Sequence, residues 1–185
     1  MVARLSLSDG IVHLRPFVYG DAEPMYAAVN ESMADLQPWL SWANGKFSTQ
    51  DARQWVQSAI AQWDAGTYYG FVIIDPATDW FIGSCSLGHI NQLYRFCNLG
   101  YWVRTSCRGQ GIAPRAVRLT ARFAFERLGL TRVEIVIGVG NTASQRVAEK
   151  AQAHYEGILR NRMVVGEKVF DAAMYSFVPE DFLEA

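Results

Sequence analysis

The chain has 185 residues, half of them hydrophobic and 19% charged, with a net charge of −1, and that length suits one domain large enough to bury its own core. The charge is unevenly divided: residues 1–100 carry five basic and nine acidic side chains, −4, and residues 101–185 carry twelve and nine, +3. This is too little positive charge for a nucleic-acid binder that works through phosphate contacts, and no apolar run reaches the ~20 residues needed to span a bilayer.

The N-terminal stretch has no uninterrupted apolar segment followed by a small-residue cleavage site, so no export signal is expected. Three cysteines (Cys85, Cys97, Cys107) without CxxC spacing argue against a disulfide framework and against a metal site. A reducing cytoplasm is the expected location, with no membrane partner.

"GIVHLRPF" alternates apolar and polar residues and predicts a first strand ending at Pro16. "GDAEPMYAAVNE" predicts a helix capped by Asp21, with Glu23 and Pro24 in its first turn. A Trp-rich connector follows, then a helix from about Thr49 to Ala65 that Gly66 stops. "YYGFVIID", "WFIGSCSLGHI" and "RFCNLGYWVR" are aromatic and β-branched, with turn signals between them, and predict an antiparallel meander.

The long stretch "APRAVRLTARFAFERLG" repeats apolar residues at helical spacing, begins with Pro114 and ends at Gly129, which predicts an amphipathic helix packed on a sheet. "RVEIVIGV" predicts a strand, "TASQRVAEKAQ" a short helix and "AMYSFV" a last strand after a connecting segment. The order implies a single α/β (α+β) domain with a mixed sheet.

One stretch asks for more than a turn. In "CRGQGIAPRA", Arg108, Gly109 and Gly111 stand at the entrance of the long helix. Helix N-termini present unpaired N–H groups and partial positive charge, and glycine lets a backbone approach an anion closely. Between Tyr101 and Ile135 seven arginines face two acids, which also suits a small polyanion. The stretch fits neither a P-loop nor a dinucleotide-binding fingerprint.

The hexamer Arg108-Gly109-Gln110-Gly111-Ile112-Ala113 resembles the Q/R-x-x-G-x-G/A signature of the GNAT N-acetyltransferases. "NLGYWVRTSCRGQGIA", the N-x-x-S-x-x-V-x-E-K run from Asn141, "EG-x-L-R" beyond it, "LRPF" and "DAAMYSFVPED" resemble the RimJ/RimL-type branch, over about Ile11 to Asp181. The resemblance implies a mostly antiparallel central sheet flanked by helices, acetyl-CoA as cofactor, and an amine acceptor that is a protein N-terminus or a small molecule. A second copy of the chain in a homodimer is an optional partner.

By the same resemblance, residues 108–113 take the cofactor's pyrophosphate. Trp102 and Val103 run beside pantetheine, Asn141 hydrogen-bonds it, and Lys150 meets its phosphates. Ser144 is the expected general acid toward the leaving thiolate, although an Asn and a Ser three residues apart at a helix start are also ordinary capping. Trp39 and Trp42 belong to the acceptor-side wall.

Two positions depart from the pattern. Asn98 stands where relatives often carry an acid, and it cannot take a proton at neutral pH; it remains a substrate contact, and His89 is the substitute base. An acyl-CoA-binding sensor without catalysis stays open on this point. Gln152-Ala153 replace a usual Gly-Phe pair, with Tyr155 expected to supply the ring.

Overall fold

The computed structural model describes residues 5–183. Eight strands form one sheet in the order β1-β2-β3-β4-β5-β6-β8-β7. They are β1 Leu7–Ser8, β2 His13–Pro16, β3 Tyr69–Ile74, β4 Phe81–Asn91, β5 Phe96–Val103, β6 Arg132–Gly138, β7 His154–Val165 and β8 Lys168–Phe177. The expected meander forms as β2 to β5, each strand antiparallel to the next. Among the described residues β5 and β6 are the one parallel pair, joined by the long helix α4, Ile112–Leu128.

Each face of the sheet carries its own core. Leu99, Val133, Ile135 and Ile137 lie with Ala116, Val117, Ala121 and Ala124 of α4 on one side. On the other, Phe17, Val72 and Phe81 pack against the helical layer of α1 Ala22–Glu31, α2 Met33–Leu36 and α3 Thr49–Asp64. Strand alternation sorts β5 accordingly: Cys97 and Leu99 join the α4 side, while Trp102 packs against the α1–α3 side.

Ser48 caps α3 by trading hydrogen bonds with Asp51. Asp21 does not cap α1 by its side chain. Its carboxylate instead accepts the Val18 N–H and both terminal nitrogens of Arg15, and so ties the entry turn to β2.

The segment expected to connect the short helix α5, Thr142–Lys150, to the last strand is itself the twelve-residue β7. This edge strand is exposed along most of its length and bulges between Tyr155 and Gly157 and between Leu159 and Met163. A strand wet on both faces has no reason to alternate, and its sequence hides it. Gln152 takes the left-handed conformation, φ 64, which glycine adopts more readily. Tyr155 packs against Tyr175 with the rings tilted, 5.2 Å between centroids, and is half exposed.

Candidate active site

β5 and β6 are in register at only three pairs, Phe96–Arg132, Cys97–Val133 and Asn98–Glu134. Beyond them β5 stays with β4 and β6 stays with β8, so the two strands part. The gap is a cleft of about 410 Å³ walled by Leu99 to Val103 and Ile135 to Gly138. Leu99 faces α4 whereas Gly100 and Trp102 face the other way, so the cleft is lined from both faces of the sheet.

The starts of α4 and α5 converge on it. Gly109 and Gly111 adopt φ 76 and 75, and a Cβ at either would meet no atom within 4 Å. Gly111 is the N-cap of α4, which has no side-chain cap. The first-turn N–H groups are left for a ligand, with open space in front of them. This geometry fits a pyrophosphate.

Arg108 lines the cleft, but its guanidinium is 2.8 Å from Asp35 of α2. Asp35 also accepts from the Thr105 hydroxyl, and that bond, with Arg108 beside it, keeps its carboxyl below the usual range. Glu31 does the same for the preceding turn, accepting from the Ser106 N–H and hydroxyl and from Arg104. The loop is thus anchored to the helical layer by two carboxylates.

Asn141 caps α5 by accepting the Ser144 N–H at 3.2 Å. The Ser144 hydroxyl donates to Tyr101 Oη at 3.0 Å, and the Tyr101 hydroxyl donates to the Ser144 carbonyl at 2.8 Å. Burial pushes the Tyr101 phenol up from its ordinary value, so at neutral pH it stays a hydroxyl. Tyr101, Asn141 and Ser144 all line the cleft. Capping and chemistry are compatible at Ser144, because the cap uses its backbone and leaves its side chain to Tyr101.

Of the residues expected from sequence, Trp39, Trp102, Val103, Arg108, Gly109, Gly111, Ile112, Ala113, Asn141, Ser144 and Lys150 line this one cleft. The others sit elsewhere. Gln110 donates to the Ser106 carbonyl and lies outside the lining. Trp42 packs on Phe47, Trp55 and Trp102 within the α1–α3 core, so it supports the wall from behind. His89 is exposed, with φ 49, where β4 loses register with β5, outside the lining. Asn98 lies at the closed end of the splay, its Oδ1 buried without a partner.

Tyr101, Arg146 and Asp35 line the cleft without having been picked out from sequence. Arg146 had a signal, standing one helical turn before Lys150 on α5. Tyr101 had a weaker one, as a hydroxyl on the core-facing side of β5. Asp35 had none, since its partner Arg108 is remote in the chain. Cys107 is buried and its thiol is pushed up by that burial, which makes it a poor nucleophile.

Residues 12–154 match the family model described as an acetyltransferase (GNAT) domain. The ribosomal-protein-serine acetyltransferase of Escherichia coli is 26% identical over 95% of this chain and 97% of its own. The structure of RimL, a ribosomal alpha-N-protein acetyltransferase in complex with coenzyme A, superposes with a TM-score of 0.86 at 23% identity, covering 94% of this chain and 98% of that one. MccE, the microcin C7 self-immunity acetyltransferase in complex with acetyl-CoA and AMP, gives 0.84 at 19% identity, over 92% and 93%. A sheet splayed at its parallel pair, a glycine loop opening onto the splay and this match over most of the chain agree: the chain belongs to the GNAT family and is an acetyl-CoA-dependent N-acetyltransferase.

Proposed function

We propose that this enzyme acetylates the α-amine of a protein N-terminus, by direct transfer from acetyl-CoA within a ternary complex. The observation that carries this reading is the cleft lined from both faces of the sheet, which lets cofactor and acceptor meet from opposite sides. Trp39, Leu40 and Met163 give it an apolar wall. Its one acidic lining residue, Asp35, is already engaged by Arg108 and Thr105. A polycationic acceptor therefore finds no free carboxylate in the lining, whereas a peptide end needs room for one amine and a small side chain.

When bound, acetyl-CoA supplies an acetyl group activated as a thioester. Residues 108–113, with Arg146 and Lys150, would hold its phosphates, and Trp102, Val103 and Asn141 its pantetheine arm. Ser144 carries a proton within the cleft, and Tyr101 fixes its orientation. Trp39 and Trp102, the latter backed by Trp42, exclude water on the acceptor side, where the uncharged amine must survive until it attacks. Three free, buried thiols suit a reducing cytoplasm.

A small-molecule amine is the second reading, favoured by the fold shared with MccE. The test is a screen of thiol release from acetyl-CoA with hexapeptides starting in Ser, Ala or Met, their Nα-blocked forms, and free amines. We expect turnover only with free N-terminal peptides, and initial-rate lines that intersect as a sequential mechanism requires. Turnover confined to free amines would overturn the peptide reading, and parallel lines would overturn direct transfer.

A further inference from the structure

β6 ends in two glycines, Gly138 and Gly140, and the side chains that lie against them explain why. A Cβ on Gly138 would come 2.7 Å from Met163 Cε and 3.2 Å from the Trp39 ring, and one on Gly140 would come 3.4 Å from the same ring. Trp39 and Met163 therefore rest on bare backbone where β6 enters the cleft, and all three of Trp39, Gly138 and Met163 line it. Ile137 packs on the α4 side, so alternation turns Gly138 to the other face, with Val136, Gly100 and Trp102. Met163 thus stands with Trp39 on the acceptor's side of the sheet.

Met163 comes from β7, which is separated from β6 by β8. Its reach depends on low ground and on a bulge. The β8 residue paired with Gly138 is Ala172, too short to stand in the way. From the pair Leu159–Ala172 to the pair Met163–Phe170, β7 advances four residues while β8 advances two. The excess is taken up around Asn161, which adopts the left-handed conformation, φ 52, and donates its N–H to the Asp171 carboxylate at 2.8 Å. In an unbulged strand Asn161 would pair with Phe170, and Met163 would move on to Lys168, near the hairpin turn. The bulge instead draws Met163 back beside Phe170, whose ring meets that of Trp39 at 5.9 Å between centroids. Arg160, Asn161, Arg162 and Val164 are exposed, whereas Met163 among them is half-buried. An asparagine held in a sparsely populated conformation by a carboxylate, in an otherwise wet strand, aims one side chain at the cleft.

We propose that Met163, carried to the cleft by the β7 bulge, sets the upper size of the substituent on the carbon that bears the acceptor's amine. The cleft of about 410 Å³ must take the thioester arm and the acceptor end together, and it lies near the small end of the range for ligand pockets. A hydrogen or a methyl group fits beside the Met163 methyl and the Trp39 ring. A branched or aromatic group needs Met163 displaced, and the space toward Gly138 is already filled by Met163 and Trp39 themselves. Because methionine is unbranched and flexible, the limit is graded with substituent size rather than absolute.

The inference deepens the N-terminal reading but rests only on amine acetylation. Its test is kcat/KM for two matched series, hexapeptides beginning with Gly, Ala, Leu or Phe and the corresponding amino-acid amides, with wild type, Met163→Ala, Met163→Leu and Val164→Ala. We expect wild type to favour Ala over Leu by at least about 10²-fold, and Met163→Ala to cut that preference below about tenfold by raising the rate with Leu. Met163→Leu, of similar volume, should keep the wild-type preference. So should Val164→Ala, whose side chain is exposed on the other face of the strand. Wild type using Leu as well as Ala would overturn the assignment. So would Met163→Ala slowing the whole series equally, since that would make Met163 a support for the wall, or Val164→Ala shifting the preference as far as Met163→Ala. Turnover of the amides but of no peptide would overturn the N-terminal reading, and the amide series would then decide the size limit by the same criteria. Turnover of neither series would overturn both.

Discussion

Gly111 and Gly129 hold one backbone conformation, φ 75 and 64, at opposite ends of α4, and neither has an atom within 4 Å of a would-be Cβ. Replacing either with alanine should therefore cost the same backbone strain, about 1 kcal/mol. Only Gly111 faces the cleft, so we expect Gly111→Ala to weaken coenzyme A binding while Gly129→Ala does not. Calorimetric titration of both variants decides it: equal loss of affinity would reduce the effect to general destabilisation. Ser144 poses the parallel question, cap or acid. Its cap is a backbone bond to Asn141, and its hydroxyl is bound to Tyr101, so the two roles can be separated. We expect Ser144→Ala to lower kcat about 10²-fold, Tyr101→Phe to lower it less, and the double variant to be no worse than Ser144→Ala, since the residues act as a unit. Lower denaturant midpoints with wild-type kcat in both single variants would return the pair to a structural role.

Arg108 is the element-scale case, because its charge belongs as much to α2 as to the loop. From the sequence it reads as a fixed positive charge beside a phosphate; in the fold Asp35 already meets it at 2.8 Å. Both side chains are about a third or more exposed, so the pair itself stabilises by under about 1 kcal/mol. It nevertheless competes with an incoming anion. Asp35→Asn keeps a hydrogen-bond acceptor for Thr105 and removes the competing charge, so we expect coenzyme A to bind a few-fold tighter, read by calorimetry. Weaker binding would mean that Asp35 matters as the loop's anchor rather than as its competitor. Interactions of this kind cannot be read from spacing, since Asp35 and Arg108 come together only through tertiary packing. The same limit explains β7, whose exposure erases periodicity, and Trp42, whose loop position suggests a wall while its ring sits in a cluster of aromatics. What could be read, the meander, α4 between its glycines and the capped start of α5, depended on local rules: alternation, helical spacing and turn chemistry.

For the whole molecule, the two-sided cleft comes from one topological fact, a parallel pair set in an otherwise antiparallel sheet, and the strands that part there are rooted in a core holding two thiols. Cys85 and Cys97 are fully buried, and burial raises both thiols to about 12. On the acid side the carboxyl of Glu156 is lowered to about 2, chiefly by Arg132; its stabilisation is present above the unfolded value near 4.3 and is lost as pH falls toward 2. The thiols act in the opposite direction. Their folded values lie above the unfolded value of about 8.5, so their contribution is complete below pH ~8.5 and is lost as pH rises toward 12. In that window the unfolded chain releases protons that the native core retains, and each thiol should remove about 1.4 kcal/mol of stability per pH unit. Urea melts under reductant at steps from pH 8 to pH 10, below the range where tyrosines dominate, should show stability falling with a slope to which Cys85, Cys97 and, with a smaller raise, Cys107 contribute. Cys97→Ala should begin from a lower stability, having lost packing, and then fall less steeply. A slope unchanged by that substitution would mean that the core around β4 and β5 opens to water before the chain unfolds, and that the walls of the cleft are less rigid than their burial implies.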